Sequence, residues 1–265
     1  MAGFIALFLG LGWKHNSDLD ALVVDLLFYA GIAGLLWRKR ERLSLEGDAV
    51  STTAGLLLAA WVLFKSLSLF SFESLFLKLA PLPAFVAVAL LASGFKGLRH
   101  YRREMLVLCL MIVPVKQFWS TGENVFNLEF ATAKFAGFLL HYLGFDTAQE
   151  GAVVILPVGA VEVSVACSSV PMILLLLKLA LLVVIVVPLR VPARIGLPLA
   201  ALATGFVLGG VRVAVMAAVA ADRTRFDYWH GPAGTQFFST LAVVVFFALC
   251  AFIARQKKGE VAAHE

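Results

Sequence analysis

Long apolar stretches separated by short charged segments run along the whole chain. Because about 20 apolar residues cross a bilayer as a helix, these stretches predict membrane helices. They lie at roughly 19–37, 49–70, 80–95, 104–119, 169–188, 195–221 and 233–254. Residues 2–13 are also apolar, but they are too few for a comfortable span. The pattern predicts an all-α polytopic membrane protein with seven to eight transmembrane helices, in a single integral membrane domain over residues 1–265.

Residues 120–168 form the longest segment without a predicted span. Within it, 131–143 carries aromatic and leucine side chains at helical spacing, which predicts an amphipathic helix at the membrane interface. Two β-type runs, 153–156 and 161–165, flank a turn-like stretch at 157–160 and predict a short strand pair. Unpaired strand edges are costly in hydrocarbon, so we expect this pair at the surface or against protein.

The composition agrees with a membrane protein. Hydrophobic residues make up 61% of the chain, and the mean hydropathy is +0.93, whereas a soluble domain has about 45–50% apolar residues. The net charge of +5 resides mainly in loops between apolar runs, so topology explains it better than nucleic-acid binding. Cys109 and Cys250 lie inside apolar runs, which leaves Cys167 without an evident disulfide partner.

The basic residues also predict an orientation. Thirteen Lys and Arg fall in the loops 38–48, 96–103 and 189–194 and in the tail after 254, against five on the other side. The positive-inside rule places the thirteen in the cytoplasm. We therefore predict a multi-pass protein of the cell's inner (plasma) membrane, with a cytoplasmic C-terminus and with Cys167 on the extracytoplasmic side.

Cys167 is the first candidate for chemistry. It precedes a hydroxyl pair, Ser168 and Ser169, and then Pro171, which together indicate the start of a helix. Free amides and the helix dipole at such a start favour a thiolate. The alternative is a structural cysteine that acts as a small hydrophobic residue.

Arg212 is the second candidate, because a charge inside an apolar run is costly and indicates function. Gly205 and Gly209 precede it on the same helix face and predict a close helix contact there. The alternative is an arginine that extends to the outer interface.

His230 is the third candidate, since an imidazole exchanges protons near neutral pH. Its alternative is an interfacial histidine beside Tyr228 and Trp229. A thiol, a charge stabiliser and a proton carrier together have the composition of an acyl-transfer site.

Three short motifs resemble the exosortase/archaeosortase family. They are A-C-S-S at 166–169, G-G-V-R-V at 209–213 and W-H-G-P-A-G at 229–234, and the similarity covers roughly 105–254. The chain departs from the family's A-C-S-G and N-x-x-R patterns at Ser169 and Gly209.

The resemblance implies a membrane cysteine protease and transpeptidase that needs no metal or cofactor. It also implies that Cys167, Arg212 and His230 are catalytic. The substrates would be exported proteins that end in a sorting signal of the PEP-CTERM type: a short motif, a transmembrane helix and a basic tail. The acceptor would be an amine, a lipid of the membrane or water.

A transporter or channel is the alternative function, with Arg212 and Lys178 as an intramembrane anion site. Such a protein needs ionisable residues on both sides of the membrane midplane. In this chain they concentrate towards the predicted outer side, which favours the enzyme.

Overall fold

The computed structural model describes residues 2–15, 19–40, 48–68, 76, 79–112 and 127–262. The chain forms two compact units, and most of the described residues are helical. The first unit comprises Met1–Val113 and Ile185–Pro188, and the second comprises Pro114–Val184 and Leu189–Glu265.

The first unit contains five α-helices among its described residues. They are α1 (Ala2–His15), α2 (Leu19–Lys39), α3 (Ala49–Ser68), α4 (Pro81–Gly97) and α5 (Arg102–Ile112). A 3₁₀ turn at Leu98–Tyr101 joins α4 to α5. Gly94 breaks the regularity of α4 with a φ of 63°, a left-handed value that glycine adopts without steric cost.

The second unit carries the three candidate residues. Its described elements are α6 (Leu128–Tyr142), β1 (Ala148–Glu150), β2 (Val153–Leu156), β3 (Gly159–Glu162), α7 (Val170–Val186), α8 (Val191–Ala218), α9 (Arg223–His230) and α10 (Pro232–Ala262). The helix α9 lies within the predicted outer loop, and the Asp222 side chain caps it by accepting a hydrogen bond from Arg225 N at 3.1 Å.

The predicted strand pair is a three-stranded antiparallel sheet in the order β1-β2-β3. The prediction missed β1, whose sequence Ala-Gln-Glu lacks β-branched residues. It also placed the last strand too late, because β3 ends at Glu162 rather than at Val165. The inferred alternation is nevertheless present, since Val161 and Val163 are buried while Glu162 and Ser164 are exposed.

Among the described residues, four helical stretches are long and apolar enough to cross a membrane: Ala49–Ser66, Pro81–Ile112, Val191–Ala218 and Pro232–Phe252. The apolar helix α7 is shorter, at 17 residues. A helical membrane protein is thus confirmed, whereas the count of seven to eight spans stays a prediction. The end of the span predicted at 104–119 lies outside the described residues, as do residues 69 and 70 of the second span.

The core of the second unit lies between α6, the sheet and α8. Ala133, Ala136 and Leu140 of α6 pack with Val154 of β2 and Val213 of α8, and all five are buried. Half-buried Cys167, Phe226 and Trp229 contact this cluster. A helix is therefore present where the amphipathic one was predicted, and the face with Ala133, Ala136 and Leu140 packs on protein. Its place at the membrane interface stays a prediction.

Candidate thiol site

Cys167 lies in a tight turn between β3 and α7. The Ser164 carbonyl accepts hydrogen bonds from Cys167 N at 3.0 Å and from Ser168 N at 2.9 Å. This turn replaces the last residues of the predicted strand. The thiol is consequently held three residues before the first residue of α7, Val170.

The amides that follow the thiol already have acceptors. Ser168 N bonds to Ser164 O, Ser169 N bonds to Thr132 Oγ1 at 3.2 Å, and Val170 N bonds to Ser168 Oγ at 3.2 Å. These three amides next to Cys167, which the helix-start pattern predicted to be free, are thus occupied.

The imidazole of His230 is a polar partner of the thiol. Cys167 Sγ and His230 Nε2 are 3.2 Å apart, within hydrogen-bonding distance for sulfur. His230 is the last residue of α9, and its ring stacks on Phe226 with centroids 5.5 Å apart and an interplanar angle of 11°. The stacking fixes the plane of the ring, so a proton can pass between sulfur and Nε2 with little rearrangement.

Arg212 is buried in α8, with 4% of its surface exposed, rather than extended to an interface. Its Nη2 donates to Thr235 Oγ1 at 2.7 Å and to the His230 carbonyl at 3.2 Å. Its Nε is buried and has no hydrogen-bond partner among the described residues. The guanidinium therefore holds the backbone of His230 and retains a donor for a further acceptor.

The packing of α8 explains how Arg212 reaches this place. A Cβ atom on Gly205 would lie 2.7 Å from Ile173 Cα, so only glycine permits the observed approach of α7. This confirms the close helix contact predicted from the two glycines. Arg212 follows Gly209 by three residues and so lies near the same helix face.

Thr235 is a residue that the sequence analysis missed. Its hydroxyl accepts from Arg212 and donates to the Gly231 carbonyl at 3.0 Å, so both of its hydrogen-bonding roles are used. The signal in the sequence is weak: a threonine in the first turn of a helix, five residues after a candidate histidine.

The remaining candidates lie apart from this arrangement in the sequence and the fold. Lys178 is half-buried in α7, roughly 12 Å along the helix from its start at 1.5 Å per residue. His141 is exposed and lines an open pocket of ≈ 260 Å³ together with Lys134 and Gln149. In the part of the chain that the structure describes, no three His, Cys, Asp or Glu side chains cluster as metal ligands would.

The fold and the site define a helical membrane protein with a thiol–imidazole pair beside a buried arginine. The chain belongs to the transmembrane exosortase family (Exosortase_EpsH), whose family model matches residues 13–247. This confirms the resemblance found in the sequence. Searches of curated proteins and of solved structures gave no match.

Proposed function

We propose that the protein is a membrane cysteine protease and transpeptidase that cleaves C-terminal sorting signals through a thioester on Cys167. The contact of 3.2 Å between Cys167 Sγ and His230 Nε2 carries the proposal. Membership of the exosortase family, a family of cysteine proteases and transpeptidases, supports the reaction class.

In the first half-reaction, His230 takes the proton of the Cys167 thiol and the sulfur adds to the scissile carbonyl carbon. The carbonyl electrons move to its oxygen and form a tetrahedral oxyanion. When this collapses, the C–N bond breaks and the leaving amine takes the proton from His230. The products are a thioester on Cys167 and a released C-terminal fragment.

In the second half-reaction, an amine, a lipid nucleophile or water adds to the thioester. His230 accepts a proton from the incoming nucleophile and returns it to the departing thiolate. Hydrolysis gives a free carboxylate, and transfer gives a new amide or ester bond. The bonds and protons balance for each acceptor without a redox partner.

Arg212 serves as the charge stabiliser in this scheme. A positively charged donor that faces developing negative charge lowers the barrier of the reaction. Since Nη2 is engaged by Thr235 and the His230 carbonyl, the donors left for the thiolate or the oxyanion are the N–H groups of Nε and Nη1.

The proposed substrates are exported proteins with a C-terminal motif, a transmembrane helix and a basic tail. The proposed location is the inner (plasma) membrane, with the site extracytoplasmic and the C-terminus cytoplasmic, because thirteen of the loop and tail Lys and Arg lie on the opposite side. A cysteine placed at Gln149 in a chain without other cysteines should react with an impermeant reagent in intact cells. Labelling only after lysis would contradict this orientation.

The decisive experiment is substitution of the nucleophile, read as the ratio of uncleaved to cleaved target at matched membrane abundance. Cys167→Ala should abolish processing, and Cys167→Ser should nearly do so, because an alcohol is a far weaker nucleophile than a thiol. His230→Ala should leave some activity, since general acid–base catalysis contributes about 10²–10⁴-fold.

Cys109→Ala and Cys250→Ala are the matched controls and should process the target normally. If Cys167→Ala still processes it, the protease function is wrong and the alternative of an anion transporter at Arg212 and Lys178 gains support.

A further inference from the structure

Two buried hydroxyl groups lie directly behind the turn that carries the thiol. Thr132 of α6 and Ser169 are both completely buried. Thr132 Oγ1 accepts from Ser169 N at 3.2 Å and lies 3.1 Å from Ser169 Oγ. Thr132 Oγ1 is also 2.6 Å from the Leu128 carbonyl. The hydroxyls thereby connect the cysteine turn to α6.

The same serine connects the turn to α8. Ser169 Oγ donates to the Phe206 carbonyl at 2.9 Å. A Cβ atom on Gly209 would lie 2.6 Å from Ser169 Oγ and 2.7 Å from Ser169 Cβ, which is too close for any side chain. Ser169 therefore fills the space that Gly209 leaves open, and Gly209 lies three residues before Arg212.

The two positions at which the motifs depart from the family patterns are thus in contact with each other. Ser169 supplies a side chain where the A-C-S-G pattern has none, and Gly209 lacks one where the N-x-x-R pattern has asparagine. The two departures form one packing unit. Its members belong to the segments that carry Cys167 and Arg212.

We infer that Thr132 and Ser169 are positioning residues for Cys167, with Gly209 as the gap that lets Ser169 fit. Their hydrogen bonds would hold the turn in the position that brings Cys167 Sγ within hydrogen-bonding distance of His230 Nε2. A displacement of the reacting group by about 1 Å can lower the rate by about 10²-fold. Loss of the hydrogen bonds of Ser169, two residues from the thiol, should therefore lower the reactivity of Cys167 strongly. The inference rests on the proposed function in taking Cys167 as the nucleophile.

Thiol reactivity tests this without any target protein. In the purified full-length chain in detergent, the rate of Cys167 alkylation by iodoacetamide is followed by mass spectrometry of its peptide. Thr132→Val keeps the shape of the side chain and removes the hydroxyl. If the turn then shifts and the contact between the thiol and His230 is weakened, less thiolate is present, and the thiolate is the form that reacts. Alkylation should therefore slow by about threefold or more. Thr132→Ser should restore the rate.

A double-substitution cycle separates positioning from general stability. In a His230→Ala background the partner of the thiol is gone, so Thr132→Val should change the rate by less than about twofold. Equal slowing in both backgrounds, or an unchanged or faster rate in the wild-type background, would overturn the inference.

Matched controls are available in the chain. Thr53 of α3 also bonds to its own helix carbonyls, so Thr53→Val should leave the rate unaltered. Gly209→Ala should slow alkylation as Thr132→Val does, whereas Gly196→Ala in the same helix, where a Cβ meets open space, should not. If Gly209→Ala reacts like the wild type, the proposed gap is wrong.

The two proposals can fail separately. If Cys167→Ala still processes the target, the proposed protease function is wrong. The alkylation rates would still show whether Thr132 and Ser169 position the thiol. If processing depends on Cys167 but Thr132→Val alkylates normally, the positioning role alone is lost.

Discussion

Each of the two units buries a charged side chain, and the two charges differ in the partners that compensate them. In the first unit, Glu104 is completely buried, and the Lys39 ammonium lies 2.9 Å from Oε1 and 3.0 Å from Oε2. In the second unit, Arg212 is almost as deeply buried but meets only neutral oxygens, from Thr235 and the His230 backbone. Among the described residues, no carboxylate forms an ion pair with Arg212.

This difference separates a structural charge from one that suits a ligand. An uncompensated buried ion is costly, and a pair with good geometry offsets that cost. Lys39 compensates the charge of Glu104 directly, although the buried Glu104 Oε1 has only this ion pair and no hydrogen bond among the described residues. Arg212 lacks such a partner, its Nε has no acceptor, and a thiol–imidazole pair lies beside it. Incomplete compensation beside the proposed nucleophile is what a site for developing negative charge requires.

Of the changes that test this comparison, Arg212→Lys should have the largest effect. Lysine keeps the charge but loses the planar guanidinium, which engages Thr235 and His230 through Nη2 and still has N–H donors on Nε and Nη1. We expect target processing to fall by more than about 10²-fold, as for loss of an oxyanion donor. Arg194→Lys, an exposed arginine of the same helix, is the control and should be neutral. Processing retained by Arg212→Lys would show that the charge alone suffices.

A smaller loss should follow Thr235→Val. This change removes the acceptor of the shortest Arg212 hydrogen bond and leaves the side chain's shape. Bonds to charged groups contribute about 1.5–3 kcal/mol, so processing should fall by about one to two orders of magnitude. Thr235→Ser should restore it. If serine does not rescue, the hydroxyl is not what positions Arg212.

The three residues of the candidate site could be selected from the sequence, because each of them conflicts with its local sequence pattern. Cys167 interrupts a strand-to-helix junction, Arg212 interrupts an apolar run, and His230 precedes a helix that starts with Gly-Pro. Such conflicts with the local pattern indicate which residues to consider and the approximate depth in the membrane that the sequence predicts for them. They say nothing about which atoms touch.

The parts that sequence did not predict depend on contacts between distant segments. Thr132 and Ser169 are 37 residues apart, and no sequence pattern indicates that they are in contact. Strand β1 escaped detection because its stability comes from pairing with β2 rather than from its own residues. The turn at Ser164 likewise follows from two amides that share one carbonyl, which alternation of valines does not reveal.

The smallest effect on activity should come from Glu104→Gln, which tests whether the Lys39–Glu104 ion pair of the first unit is purely structural. The change leaves Lys39 with neutral acceptors, the new amide oxygen and the His100 carbonyl at 2.7 Å. Because Lys39 is 29% exposed, water relieves part of the cost, and we expect a loss of about 1–3 kcal/mol in the free energy of unfolding. Thermal unfolding in detergent should therefore shift downwards, while processing per folded molecule and the alkylation rate of Cys167 stay at wild-type values. A Glu104→Gln protein that is as stable as the wild type but processes its target as poorly as Arg212→Lys would show that the Lys39–Glu104 pair acts in the reaction, and the distinction between the two buried charges would fall.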